Sequence, residues 1–309
     1  MEVIKPQKLK DAIYTDVYRL NRIYNIETNQ PKSLLSRLLR CWGKTGNEDW
    51  NFHPALFHML DVGHVAQQLL NSPASSRWRR VLGKTLNAEP ETLVNWLPWL
   101  IAIHDIGKIS VPFQAQNAEQ KSRLEAEGFA FGRWKSKDQL YHTYVGQVFL
   151  KNELSDMGLP RRLLRAWQEV IGGHHGIFAE ESLGSVMRTL NYIQEPEEWK
   201  QLRAKACQIL QGYLLHQIPS QWPEPTNISA AIMALTGFTI LCDWLGSDGR
   251  FFSPQPYTDL FDYILISRQS AQKAVAEAGF FQPGYSDVPT FFEQLFPHCV
   301  PARPLQQAI

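Results

Sequence analysis

The apolar residues of this chain recur with helical spacing along almost its whole length, and this pattern constrains the fold most. The spacing predicts a helix in each of five segments: residues 55–71, 92–106, 138–154, 161–171 and 228–245. Most glycines and prolines lie between these segments. No series of short alternating strands and no strand–helix–strand rhythm interrupts them. The sequence therefore predicts an all-α fold, a helical bundle, with an extended, Pro-rich C-terminal tail.

The composition is typical of a globular protein with a large core. Of the 309 residues, 44% are hydrophobic and 20% are charged, which excludes wholesale disorder. The 31 basic and 30 acidic residues give a net charge of +1. This balance argues against a histone-like nucleic-acid binder but allows a local basic groove.

The cysteines and the N-terminus indicate a cytoplasmic protein. The four cysteines, Cys41, Cys207, Cys242 and Cys299, are far apart and form no CxxC pair. They predict neither a zinc knuckle nor a disulfide framework, so we expect free thiols in a reducing compartment. The N-terminal residues lack the apolar core of a signal peptide.

One stretch resembles a membrane span in composition. Residues 228–242 carry no charge, but 15 residues fall short of the ~20 that cross a bilayer, and Asp243 closes the run. We expect a buried helix of a soluble protein and no membrane partner.

The apolar segment 92–106 ends in the sequence AIHDIGK, which places His104 and Asp105 side by side. Pro98 either kinks this helix or begins its second half. Gly107 is expected to end the helix, which would put Asp105 against the unfavourable end of the helix dipole. A cation would relieve that conflict: Lys108 supplies one weakly, and a metal ion supplies one strongly.

His58 lies on the apolar face of residues 55–71, together with Asp61 and Val62. Taken alone, it is most simply a hydrogen-bonded core histidine. His64 lies well round the same helix and is not assigned to a site, and His53 is expected to cap the helix.

Three further histidines and one aspartate also stand where apolar segments turn or end. His142 shares a face with Val145 and Phe149. His174 and His175 continue an apolar stripe and lie among glycines, which let the backbone turn both rings towards one point. Asp243 ends the charge-free segment, where an unpaired buried carboxylate would be costly.

Together these five histidines and two aspartates predict a metal centre. Imidazole and carboxylate ligands without cysteine suit Mn, Fe, Co, Ni or Zn better than a structural zinc site. Seven ligands are too many for one ion, so two ions bridged by Asp105 fit better. Two metal ions ~3.5–4 Å apart are an arrangement that hydrolyses phosphate esters.

The order H…HD…H…HH…D resembles the HD metal-dependent phosphohydrolase superfamily. The strings HPALFHMLDVGHVA, AIHDIGKISVPFQ, YHT, IGGHHGIF and LCDWLGSD are similar to the nuclease domain of the CRISPR type I helicase-nuclease. The resemblance covers roughly residues 40–250 and implies an HD-domain helical bundle over residues 1–282. Residues 283–309 would be a linker leading to a helicase domain that is absent from this chain.

The tail sequence PARPLQQAI resembles the motif that opens the helicase half of that family. Gln306 would be the glutamine that contacts adenine. The chain contains no GxxxxGK[ST] loop, so no complete ATP site is expected.

The resemblance assigns roles to the candidate residues. One ion would be held by His58, His104, Asp105 and Asp243, and the other by Asp105, His142, His174 and His175. Lys108 would face a substrate phosphate, and His104, Asp105 and Lys108 would be catalytic. Ser247 would hydrogen-bond near the site, and Asp61 would orient His58.

The implied activity is that of a metal-dependent endodeoxyribonuclease that cuts single-stranded DNA in CRISPR type I interference. It implies two divalent transition-metal ions (Mn, Fe, Co or Ni, with Mg or Zn as alternatives), a helicase domain in cis or in trans, and the Cascade surveillance complex as a partner. Two other functions stay open: a nucleotide phosphohydrolase of the same superfamily, and a non-cutting docking module for the surveillance complex.

The path of the DNA is less defined by the sequence. Candidate basic patches are residues 77–80 (RWRR), residues 160–165 (PRRLLR) and the cluster of Arg37, Arg40 and Lys44. Trp78, in a basic neighbourhood, is a candidate for stacking on a base.

Overall fold

Helices dominate the structure, and the predicted all-α class is confirmed. The computed structural model describes residues 33–46, 51–72, 76–156, 158–176, 178, 183–256 and 258–280. The Pro-rich tail, Gln306 and Cys299 lie outside the described residues. The α-helices of the described ranges are α1 (Leu34–Leu38), α2 (Ala55–Asn71), α3 (Ser76–Leu86), α4 (Leu97–Ala102), α5 (Val111–Gln114), α6 (Ala118–Ala126), α7 (His142–Asp156), α8 (Arg161–Gly173), α9 (Leu183–Ile193), α10 (Glu197–Leu214), α11 (Ile228–Gly246) and α12 (Leu260–Glu277).

A short hairpin precedes α2, although the sequence pattern gave no indication of strands. Strand β1 (Trp42–Thr45) pairs antiparallel with β2 (Phe52–Pro54). Strands of three and four residues are too short to show alternation. The prediction that His53 caps α2 is wrong, because His53 lies in β2 and the cap position is Pro54.

Helix α2 is the centre of the bundle and is buried on almost every side. It packs against α4, α11 and α12, while α8 packs against α7 and α11. Its apolar side chains belong to a single large core cluster. Because α2 is enclosed, the orientation of His58 is fixed by packing.

The segment 92–106 is not one helix. It divides into a 3₁₀ turn (Pro90–Asn95), helix α4 and a second 3₁₀ segment (Ile103–Lys108). Pro98 stands in the first turn of α4, so of the two interpretations the structure supports the one in which proline begins the second half.

Gly107 has a different role from the predicted helix stop. The α-helix has already ended at Ala102, and Gly107 lies within the second 3₁₀ segment. A Cβ at Gly107 would collide with the carbonyl oxygen of His142. Glycine therefore allows this segment to approach the backbone of α7 closely, which brings Asp105 towards His142.

Two other helices have boundaries that differ from the predicted ones. Helix α7 begins at His142 rather than at residue 138, so His142 lies in its first turn. Helix α8 continues through Gly172 and Gly173, and His174 is its C-cap residue.

The predicted burial of α11 holds for one face only. Leu235, Phe238 and Cys242 are buried in the core, whereas Met233 is 63% exposed and Trp244 is 73% exposed. By length and composition alone this helix could cross a membrane, and 33% of its apolar window is buried in the structure. Core helices of soluble proteins meet the same length and composition criteria.

Candidate metal centre

Side chains from five separate parts of the fold meet at one point between α2, α7, α8 and α11. They are the seven residues predicted as metal ligands: His58 on α2, His104 and Asp105 on the second 3₁₀ segment, His142 at the start of α7, His174 and His175 at the end of α8, and Asp243 on α11.

Asp105 stands at the middle of this centre, and its two oxygens face different histidines. Oδ2 lies 3.0 Å from Nε2 of His58 and 3.4 Å from Nε2 of His104. Oδ1 lies 3.0 Å from Nε2 of His142 and 3.4 Å from Nε2 of His174. One carboxylate thus touches two sets of imidazoles through separate atoms.

Each set is completed by one more residue. Oδ1 of Asp243 lies 3.2 Å from Nε2 of His58 and 3.7 Å from Nε2 of His104. Nε2 of His175 lies 3.1 Å from Nε2 of His142. Two groups result, each with its ligand atoms within 4.8 Å of one another: Asp105, His142, His174 and His175, and His58, His104 and Asp243.

The buried ring nitrogens fit metal binding better than a hydrogen-bonded core. Nδ1 of His104 donates to the carbonyl oxygen of Ile101 at 3.0 Å, and Nδ1 of His174 donates to that of Ile171 at 2.8 Å. Because a carbonyl only accepts, these bonds fix an N–H on Nδ1 of each ring and aim Nε2 into the centre.

Several of these inward-facing atoms are buried without a hydrogen-bond partner among the described residues: Nε2 of His58, His104 and His174, and Oδ1 of Asp105. Leaving buried polar atoms unsatisfied is costly unless a ligand completes them. The donor set, imidazole nitrogen and carboxylate oxygen without thiolate, suits a divalent transition metal.

The two carboxylates of the centre are negatively charged, which favours binding of a cation. Burial raises the pKa of Asp105. The positive charges of Lys108 and His104 outweigh this effect and hold that pKa well below its usual value. Burial raises the pKa of Asp243, but the nearby imidazoles of His104 and His58 outweigh this effect and lower it. Both carboxylates are therefore ionised at neutral pH in a buried site.

The histidines differ among themselves. Burial lowers the pKa of His58 and of His142, and burial together with neighbouring His174 and His142 lowers the pKa of His175 to about 4. Burial acts to lower the pKa of His104 as well, but the carboxylates of Asp105 and Asp243 outweigh it and raise this pKa to about 9. Neutral imidazole is the form that binds metal, so an ion held by His104 would displace the second proton that this ring carries at neutral pH.

Two lysines reach the centre. Nζ of Lys108 lies 2.6 Å from Oδ2 of Asp105. Nζ of Lys44 donates to Oγ of Ser247 at 2.6 Å, and Ser247 donates to Oδ1 of Asp243 at 3.0 Å. Ser247 thus hydrogen-bonds at the site, where the sequence prediction placed it.

Lys44 was predicted only as part of a basic cluster with Arg37 and Arg40, and the structure separates the three. Arg37 pairs with Glu198, and Arg40 pairs with Glu127. Lys44 reaches the metal centre through the hairpin, which has no recognisable sequence pattern.

Asp61 does not orient His58. It accepts hydrogen bonds from Tyr263 at 2.9 Å and from Ser267 at 2.6 Å, and it lies 2.9 Å from Nε2 of His53. Nδ1 of His58 has no hydrogen-bond partner in the described part of the chain. Asp61 therefore anchors α12 and β2 to α2.

The arginines of α8 and Trp78, which were predicted to lie on the DNA path, are at the surface. Arg161, Arg162 and Arg165 are exposed along α8. Trp78 is 39% exposed and leans towards Phe238 of α11, with ring centroids 6.3 Å apart.

Comparison with known proteins identifies relatives of this chain. Residues 42–252 match the family described as Cas3, HD domain. The CRISPR-associated endonuclease/helicase Cas3 of Thermus thermophilus is 28% identical over 272 residues, which are 88% of this chain and 29% of that protein. The protein of the same description from Escherichia coli is 26% identical over 239 residues, 67% of this chain and 25% of that protein.

A solved structure shows the same fold. The Thermus thermophilus Cas3 HD domain, crystallised in the presence of Ni²⁺, superposes with a TM-score of 0.57 at 25% identity, covering 83% of this chain and 95% of that one. The chain thus spans under a third of the full-length relatives and nearly the whole of the isolated domain.

Proposed function

The chain belongs to the Cas3 HD domain family, and from this premise we propose that it is a metal-dependent endonuclease that hydrolyses phosphodiester bonds of single-stranded DNA. The domain is a Cas3 HD nuclease domain with candidate residues for binding divalent metal.

The shared Asp105 carboxylate carries the two-ion proposal. Its two oxygens each face a different ligand group, so one ion would be held by His58, His104, Asp105 and Asp243. The other would be held by Asp105, His142, His174 and His175. When bound, divalent ions activate water and offset the charge that develops on phosphorus.

The protein's own groups supply orientation and charge. The Nδ1 hydrogen bonds of His104 and His174 hold the rings so that Nε2 faces inward. Lys108 is buried with its ammonium at the centre, where it would stabilise the extra negative charge on a reacting phosphate.

Exposed aromatic residues beside the centre support a single-stranded substrate. Tyr141, next to His142, is 72% exposed, and Trp244, next to Asp243, is 73% exposed. Unpaired bases stack on such side chains without regard to sequence. Because the net charge is only +1, we expect modest, salt-sensitive binding to DNA.

The names of the relatives suggest the biological setting. They are described as CRISPR-associated endonuclease/helicase proteins, so we propose that a helicase domain, in cis or in trans, delivers the strand. We further propose that the protein acts in the cytoplasm with the Cascade surveillance complex in type I interference.

Cleavage of circular single-stranded DNA tests the activity. Protein stripped of metal is supplied with Mn²⁺, Co²⁺, Ni²⁺, Mg²⁺ or Zn²⁺ and compared with Asp105→Ala. Asp262→Asn, at an exposed position of α12, is the control. We expect cutting only with added metal, no cutting by Asp105→Ala, and wild-type behaviour of Asp262→Asn. A circle also separates endonuclease from exonuclease activity, because it offers no end.

Two results would overturn the proposal. Cleavage by metal-depleted Asp105→Ala would place the chemistry elsewhere. No cleavage by folded, metal-loaded protein, combined with hydrolysis of a nucleotide panel, would identify a nucleotide phosphohydrolase, and inactivity on both substrate types would identify a docking module.

A further inference from the structure

We propose that Lys44 is a second phosphate-binding residue of the metal centre, whose ammonium holds a backbone phosphate of the single strand beside Asp243. The inference rests on the proposed nuclease function and extends it with a residue from β1. Lys108 would then not be the only lysine at the centre that meets the DNA backbone.

The hairpin fixes Lys44 against the helix that carries His58. Lys44 pairs in register with His53 of β2, and β2 leads directly into α2. A Cβ at Gly43 would lie 2.8 Å from Cα of Ala55, so glycine allows β1 to press against the start of α2. The backbone of Lys44 is therefore placed by packing.

A buried glutamine ties the segments of the two lysines together. Nε2 of Gln114 donates to the carbonyl oxygens of Trp42 at 2.7 Å and Lys108 at 2.9 Å. The amide N–H of Trp42 donates back to Oε1 of Gln114 at 3.1 Å. Three hydrogen bonds thus couple β1 to the segment that carries His104 and Asp105.

The lysines are held near each other at an electrostatic cost. Burial, followed by the positive charge of Lys108, lowers the pKa of Lys44 to about 8. An ammonium has three donors, and in the described ranges of the chain the hydrogen bond found for Nζ of Lys44 is the one to Ser247. A phosphodiester anion would accept a further bond and offset both charges.

A purely structural role for Lys44 makes a different prediction. Because an ammonium only donates, Lys44 leaves the hydroxyl proton of Ser247 free to bond Asp243. If that were its whole function, loss of Lys44 would resemble loss of Ser247 and would alter metal binding rather than DNA binding.

Salt-dependent binding of DNA separates the two roles. The titrations would use a phosphorothioate oligothymidylate, which resists hydrolysis. The metal-loaded proteins would be the wild type, Lys44→Met, Lys44→Arg, Ser247→Ala and the exposed control Lys200→Met. Affinity would be followed by fluorescence anisotropy over a range of salt, and metal content would be measured on the same samples.

We expect Lys44→Met to keep its metal content and to bind the oligonucleotide roughly tenfold to a hundredfold more weakly, as for loss of a charged hydrogen bond. Its plot of log affinity against log salt should flatten by about 0.7, the value for one phosphate contact on a single strand. Lys44→Arg, Ser247→Ala and Lys200→Met should keep the wild-type slope.

An unchanged slope in Lys44→Met, or metal loss that Ser247→Ala reproduces, would refute the inference while leaving metal-dependent cleavage by the wild type intact. Failure of the metal-loaded wild type to bind the oligonucleotide at all would overturn both this inference and the proposed function.

Discussion

Nζ of Lys108 lies 2.6 Å from Oδ2 of Asp105, the same oxygen that faces His58 and His104. A metal ion in that group and the ammonium of Lys108 would therefore compete for one carboxylate oxygen. Without metal, the ammonium of Lys108 would offset the negative charge of Asp105. Once a metal ion took over that role, the ammonium would be free to contact a substrate phosphate.

The first prediction follows from this competition. Lys108→Met should bind Mn²⁺ at least as tightly as the wild type, because a competing cation is gone. Its turnover on single-stranded DNA should fall by roughly 10²–10³-fold, the usual loss when one group that stabilises transition-state charge is removed. Isothermal titration with Mn²⁺ and steady-state cleavage measure the two quantities.

Lys108→Arg is the control for that experiment, since it keeps the charge but changes the geometry of the donor. It should retain more activity than Lys108→Met. Parallel loss of metal and activity in Lys108→Met would mean that Lys108 only supports the folded site.

The second prediction concerns the number of ions. Asp243→Asn should lose the ion bound with His58 and keep the other, and His142→Asn should do the opposite, whereas Asp105→Ala should lose both. Native mass spectrometry of metal-loaded samples counts the ions directly, with Asp262→Asn as control. A single ion in the wild type would disprove the two-ion arrangement.

The seven candidate ligands were recognisable in the sequence because each lies on, or directly after, an apolar helical segment. His58, for example, shares a buried face with Val62 and Val65, and this spacing is visible within one helix. Such local periodicity does not depend on knowing which segments pack together.

The features missed by the sequence depend on contacts between distant segments. The hydroxyl of Tyr263 bonds a carboxylate 202 positions earlier, at Asp61, and no local pattern near Asp61 reveals this. The 3₁₀ segment that follows α4 packs closely on α7 at Gly107, and helical spacing alone cannot indicate this contact either.

The third prediction tests this long-range anchor. Tyr263→Phe removes a donor from the fully buried carboxylate of Asp61 and should lower the free energy of unfolding by about 1–3 kcal/mol. Metal stoichiometry should not change, because Asp61 contacts none of the seven candidate ligands through these bonds. Urea unfolding and metal analysis check the two parts, and loss of a metal ion in Tyr263→Phe would restore a metal-site role to Asp61.

The fourth prediction concerns His64, which is buried beside the same network but is not a candidate ligand. Ser267 donates its proton to Asp61 at 2.6 Å, so Ser267 accepts from Nδ1 of His64 at 2.8 Å. Nε2 of His64 is buried without a hydrogen-bond partner among the described residues. Burial, and next the charges of Arg268 and His216, lower its pKa to about 3.

The direction of the pH effect follows from that pKa. In the unfolded chain the histidine takes up a proton near its ordinary pKa of about 6.5, whereas in the folded protein it stays neutral down to about pH 3. Stability should therefore fall as the pH drops below about 6.5, by up to about 1.4 kcal/mol per pH unit for this group. In chelating buffer, urea unfolding at pH 7 and pH 5 should show a loss about 2 kcal/mol larger in the wild type than in His64→Gln. Equal losses in the two proteins would show that His64 is protonated in the folded state and that its burial does not set this pH dependence.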